Sequence, residues 1–136
     1  MRTEAIKELI DNFSLFEDWE ERYAYLIELG QALPELSEAE KVDLNKVEGC
    51  VSQVWMVAEP RDNALYFRAT SDAILVKGLI AVLDKAYQGV SLAHLDQVDI
   101  EAIFADLGLD SNISPNRRNG FFSMVEKIKL QKVDMY

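Results

Sequence analysis

The chain has 136 residues, enough for one proper hydrophobic core, and its 49% hydrophobic and 28% charged content is that of an ordinary globular protein. Its 24 acidic residues against 14 basic ones leave a net charge of −10, which repels phosphate backbones and argues against nucleic acid and anionic membranes as partners. A single cysteine and a single histidine exclude an intramolecular disulfide, a zinc site and an iron–sulfur cluster held by this chain alone.

The first eight residues, Met1 to Glu8, carry acidic side chains and no apolar signal core. The longest apolar stretch, Ile74 to Leu83, is interrupted by Lys77 and too short to span a bilayer. A reducing cytoplasm is the expected home for the lone thiol.

Taken in order, Ile6, Leu9, Ile10 and Phe13 recur at helical spacing and predict a short amphipathic helix ending near Asn12 to Leu15. Asp18 is positioned to cap a second helix with Trp19, Tyr23, Leu26, Ile27 and Leu33 on its apolar side, weakened at its end by Gly30 and Pro34. Leu36 to Lys46 is polar and reads as a surface connection, with Ser37 and Glu40 spaced as a capping box. Val51 to Ala58 predicts a strand, with Val51, Trp55 and Val57 on one face and Val54 and Met56 on the other. Pro60 to Asn63 supplies turn chemistry, and Leu65, Phe67 and Ala69 alternate with Tyr66, Arg68 and Thr70 in a partner strand.

Ser71 and Asp72 are expected to cap the most hydrophobic helix, Ala73 to Tyr87, whose apolar residues on several faces predict burial. Gly78 inside it costs about 1 kcal/mol relative to alanine, which close packing on another backbone would offset. Asp99 starts a helix through Ile100, Ile103, Phe104 and Leu107 that Gly108 stops. Ser114 and Pro115 open a last helix with Phe121, Val125 and Ile128 on one face. The expected architecture is α+β: one domain over residues 1–136, a small antiparallel sheet packed against several helices, and a frayed tail after about residue 130.

The chemistry concentrates at Gly49-Cys50, on a turn where a polar connection meets an alternating apolar run. Lone cysteines commonly serve as small buried hydrophobes, but those lie inside periodic runs rather than on a Gly-Cys turn. A free thiol with pKa near 8.5 is only slightly ionised at neutral pH. Lys77, Arg61, Arg117 and Arg118 are the cations considered for lowering that value, and an apolar surround would raise it. Ser52 is placed to bond the local backbone or the sulfur. His94, between Ala93 and Leu95, is the sole imidazole that could act as a base for Cys50. Glu17, Asp18, Glu20 and Glu21 suit the second helix's N-terminal dipole.

Gly49-Cys50-Val51-Ser52-Gln53-Val54-Trp55 matches a Gly-Cys-x-Ser-x-Val-Trp signature. Around it, in order, stand Trp19 to Tyr23, Ile27 to Gly30, Leu33-Pro34, Ser71-Asp72-Ala73, Val76 to Ala81, Ser114 to Arg117, and Gly120. Over about Phe16 to Lys129 the chain therefore resembles the SufE-like sulfur acceptors, with Val51 in place of a glutamine often found there.

The resemblance implies a SufE/IscU-like fold and a sulfur carrier. Cys50 would take persulfide sulfur from a cysteine desulfurase of the SufS or CsdA kind, stimulate it, and pass the sulfur to an iron–sulfur scaffold or another acceptor. Gly49, Ser52 and Arg117 would support the loop. The chain itself would hold no cofactor or metal, pyridoxal phosphate being the desulfurase's. Two rival readings are a non-catalytic module that activates a desulfurase allosterically, and an independent thiol enzyme using Cys50 with His94.

Overall fold

The structure is a computed structural model and describes residues 1–131. Helices α1 (Glu4–Ser14) and α2 (Trp19–Gln31) lead into two short 3₁₀ turns, Glu38–Glu40 and Asp43–Asn45. An antiparallel hairpin follows, β1 (Val54–Ala58) and β2 (Phe67–Ser71), then α3 (Ile74–Tyr87), a 3₁₀ turn at Leu92–Gln97, α4 (Ile100–Asp106), a 3₁₀ turn at Leu109–Ser111 and α5 (Pro115–Lys129). The tail expected to fray after about residue 130 lies, from residue 132 on, outside the described residues.

The helix starts follow from their capping residues. The Thr3 hydroxyl accepts from Ile6 N, the Asp18 carboxylate from Glu21 N at 2.9 Å, and the Ser114 hydroxyl from Arg117 N at 3.3 Å, with Pro115 as the first helical residue. Gly108, at φ 74°, adopts the left-handed conformation that ends α4. Ile6, Leu9 and Phe13 of α1, Ile103 and Phe104 of α4, and Phe121, Val125 and Ile128 of α5 meet in one core around α3. Each such side chain contributes about 1.5–3 kcal/mol by leaving water.

Two glycines set how α2 lies on α3. A Cβ on Gly30 would lie 2.6 Å from the backbone of Lys77 and Gly78, and one on Gly78 would lie 2.9 Å from Leu26 O. The two backbones touch there, as expected for Gly78. Gly30 stands where its sequence context put it, at the end of α2, which stops one residue later at Gln31. It is also buried, and the absent side chain permits the contact.

The hairpin is a two-stranded sheet in register Val54↔Ser71, Met56↔Ala69 and Ala58↔Phe67. Arg61 and Ala64 exchange both backbone hydrogen bonds, while Asp62 and Asn63 between them have φ of 52° and 61°. This is the primed turn that matches strand twist. Val54, Met56, Phe67 and Ala69 face the core. The opposite face is covered by the connection after α2, since Thr70 donates to Glu35 and Arg68 pairs with Glu40. That connection therefore does more than cross the surface: Leu36 is buried, and the predicted capping box of Ser37 and Glu40 forms.

Two sequence expectations are corrected here. The strand begins at Val54 rather than Val51, because the chain bends through residues 51–53 and leaves Val51 80% exposed. The N-cap of α3 is Ala73, with Ser71 and Asp72 turned back toward the hairpin. Ser71 still accepts from Ala73 N at 3.1 Å.

Candidate functional site

The lone cysteine sits on a short loop held at both ends. Upstream, Val47 N donates to Val54 O at 2.8 Å, Lys46 bridges to Trp55, and the Val47 side chain is buried. Downstream, Gln53 O accepts from Ser71 Oγ at 2.7 Å and Asp72 N at 3.3 Å, and Gln53 N donates to Asp72 Oδ1 at 3.1 Å. Glu48 to Ser52 span the gap between these posts. Ser71 and Asp72, predicted as helix caps, serve mainly as the downstream post.

Gly49 makes the bend possible. Its φ of 86° is one that a side chain disfavours, and a Cβ would lie 2.5 Å from Ser123 Oγ. The loop lies along one face of α5, whose residues 117, 120, 123 and 127 recur at helical spacing. Arg117 lines the cavity beside the thiol, Gly120 lies beneath Cys50, and Ser123 abuts Gly49. Lys127 Nζ donates to Asn45 O at 3.3 Å and Lys46 O at 3.4 Å.

Gly120 is buried in α5, and a Cβ on it would come within 3.4 Å of Cys50 Sγ. The missing side chain creates the seat for the sulfur, whose S–H donates to Gly120 O at 3.6 Å. Beside it opens a cavity of about 230 Å³. Val54, Val76, Leu79, Phe121 and Met124 give it apolar walls, and Ser52, Ser114, Asn116 and Arg117 give it a polar rim.

This setting pushes the Cys50 thiol above its ordinary value, first by burial and then through the Glu48 carboxylate nearby. The seated thiol thus keeps its proton, and its nucleophilicity is held low. Of the cations considered from sequence, Lys77 is bound to Glu35, Arg61 lies over the Tyr66 ring at 4.2 Å, and Arg118 lies over Phe122 at 5.0 Å. Arg117 alone of these four lines the cavity, and the net effect on the thiol is still upward.

The structure thus brings Cys50, Ser52 and Arg117 to one cavity and places Gly49 at the loop's bend. The Ser52 hydroxyl bonds neither sulfur nor backbone among the described residues. His94 is exposed in the 3₁₀ turn Leu92–Gln97 and is not among the cavity's lining residues, so no Cys–His pair forms. Sequence reasoning read Asp72 only as a helix cap, missed Met124 and Lys127, and gave Gly120 no role. A glycine inside a capped helix, three residues past Arg117, was the available signal for a close approach. Among the described residues no helix is long and apolar enough to cross a membrane.

The fold is that of a solved protein from Thermus thermophilus, described as hypothetical, whose solution structure superposes with a TM-score of 0.79 over 98% of this chain and 97% of that one at 19% identity. The family model for SufE, an Fe–S metabolism associated domain, matches residues 7–132. An uncharacterized SufE-like protein of Rhizobium etli is 42% identical over 129 residues, covering 92% of this chain and 87% of the relative. One from Rhizobium meliloti (strain 1021) is 39% identical over 129 residues, covering 92% of each. The chain belongs to the SufE family, and so to a group associated with iron–sulfur metabolism.

Proposed function

We propose that the protein is a sulfur carrier in which Cys50 accepts sulfur from the persulfide of a cysteine desulfurase and hands it on for iron–sulfur cluster assembly. In the accepting step the Cys50 sulfur attacks the outer sulfur of the partner's persulfide. A new S–S bond forms on Cys50, the partner's S–S bond breaks, and the departing cysteine thiolate takes the proton that Cys50 gives up. Delivery repeats the exchange, with an acceptor thiol attacking the outer sulfur on Cys50. Pyridoxal phosphate belongs to the desulfurase, of the SufS or CsdA kind, and both act in a reducing cytoplasm.

The observation that carries this reading is the placement of the single thiol. It rests on a glycine-hinged loop between two fixed posts, protonated at rest and facing an apolar cavity. Seated, the sulfur is poorly nucleophilic and screened from stray thiols. Swung out on Gly49, it regains water and an ordinary pKa. Ser52 and Arg117 stand on the cavity rim beside the seated loop. Since the chain has no second cysteine, a persulfide on Cys50 cannot close into an internal disulfide and must leave to another protein.

The test is desulfurase turnover, with intact-mass analysis after adding cysteine, on the natural protein and on Cys50→Ser. The expected outcome is a one-sulfur adduct on the natural protein, and loss of both adduct and stimulation in the variant. The rival allosteric module finds support in the raised thiol pKa and in Leu44 and Val51, exposed on the segments flanking Cys50. Full stimulation by Cys50→Ser, with no adduct on either protein, would favour that module over the carrier.

A further inference from the structure

We propose that Lys127 is a positioning residue that latches the thiol-bearing loop in its seat. The assignment deepens the carrier reading. It rests on two features of the α5 face that receives the loop.

The Lys127 ammonium donates to two successive carbonyls, Asn45 O at 3.3 Å and Lys46 O at 3.4 Å. These lie where the 3₁₀ turn Asp43–Asn45 ends, and such carbonyls lack partners within the turn itself. One side chain thus ties the stem of the loop to the helix that also carries Gly120, the seat of the sulfur. The second feature is charge. Burial lowers the Lys127 pKa, and the Glu48 carboxylate, in the span between the posts two residues before Cys50, opposes that shift. Its attraction to Lys127 favours the seated arrangement, because a loop that swings away carries Glu48 with it. Lys127 is partly buried, so solvent screens these interactions less than on an open surface.

The stem has other ties, the Val47–Val54 hydrogen bond and the buried Val47 side chain. Removing Lys127 therefore loosens the loop without unfolding the hairpin. Lys127 does not touch the sulfur, so its action on Cys50 passes through the loop.

The experiment measures alkylation of Cys50 by iodoacetamide, a neutral reagent, at fixed pH in the full chain. The label is unambiguous because the sequence has one cysteine. Lys127→Met is expected to react about three- to tenfold faster than the natural protein, the factor set by the net worth of one ordinary hydrogen bond, since both contacts are long. Lys127→Arg is expected to restore the slow rate. The sign separates the latch from a purely electrostatic role. Removing a positive charge can only raise the thiol pKa and slow alkylation, whereas opening the seat speeds it.

Amide hydrogen exchange supplies the control for folding. Residues 48–52 are expected to exchange faster in Lys127→Met while α3 and β1 keep their protection. Unchanged or slower alkylation in Lys127→Met, or equal loss of protection throughout the chain, would overturn the proposal. No desulfurase enters these measurements, so a failure of the latch is distinguishable from a failure of the carrier reading, which sulfur uptake alone decides.

Discussion

Two places in the molecule use a helix glycine to admit a close neighbour, with opposite results. Where α2 crosses α3, Gly30 and Gly78 bring backbone against backbone, buried, with a missing Cβ on either side. Where α5 meets the Cys50 loop, Gly120 admits one side chain carried by a segment of five residues. The first contact fixes two long elements that have no room to separate. The second holds a small group through one weak S–H hydrogen bond and packing, with a cavity alongside. The same absence of a side chain builds a permanent joint in one case and a resting place in the other. What differs is what carries the neighbour, a long helix in one case and a five-residue loop bent at Gly49 in the other.

Substitutions at the glycines break the comparison at different points. Gly30→Ala drives a methyl into the backbone of α3, which cannot retreat, so urea unfolding is expected to show a loss of about 1–3 kcal/mol. An unchanged midpoint would mean the two helices are less firmly joined than described. Gly49→Ala forces a side chain onto φ 86° and against Ser123, with an expected cost of about 1–2 kcal/mol, and Gly49→Asn recovers part of it. Gly120→Ala differs in kind. At 3.4 Å an added methyl only reaches the near edge of ordinary contact with a movable sulfur, and alanine suits a helix better than glycine by about 1 kcal/mol. Global stability should then be nearly unchanged while alkylation of Cys50 accelerates, a separation that the same substitution at Gly30 would not produce.

The pH dependence sharpens the contrast between seat and joint. The Cys50 pKa is raised in the folded state, so the seated thiol contributes stability below its unfolded pKa, and that contribution is lost as pH rises through the folded value. Alkylation should therefore show an inflection above that of the unfolded chain, moving down in Glu48→Gln. The smallest effect is expected on the other side of neutrality. Glu40 is held down at about 2, chiefly by its hydrogen bonds to Arg68, from an ordinary value of 4.5. The stability it contributes is present above 4.5 and is lost as pH falls toward 2. Arg68→Met should flatten thermal stability in that window, and added salt should do so partially.

Much of the fold is legible in the sequence because it is local. The caps at Asp18 and Ser114, the stop at Gly108 and the turn at Asp62-Asn63 are each decided by two or three residues acting on their own backbone. Gly78 can be flagged as a close approach, but no sequence pattern says that its partner is Leu26 or that Gly30 answers it. The strand reads three residues too early because Val51 continues the alternation by coincidence, while the chain there obeys Gly49 and the tie at Gln53. At the site, the thiol and its glycine stand out by residue type. The cavity walls come from β1, α3 and α5, whose convergence is a property of the packed molecule. For the same reason the thiol's pKa direction is open in sequence and is set in the structure by burial.

The two posts at Val47 and Gln53 also fix a radius. Cys50 stands three residues from each, and an extended chain advances about 3.3–3.6 Å per residue, so its backbone can move no farther than about 10 Å from either anchor. That is a short tether beside the size of a protein. Any group that reacts with the Cys50 thiol has to come within this reach plus the length of the cysteine side chain, which makes the surface around the posts a measuring surface. A change in loop length would then act as a change of gauge: one residue added to Glu48–Ser52 extends the tether by about 3.3–3.6 Å and alters which partners can be reached, with the seat and the cavity left in place.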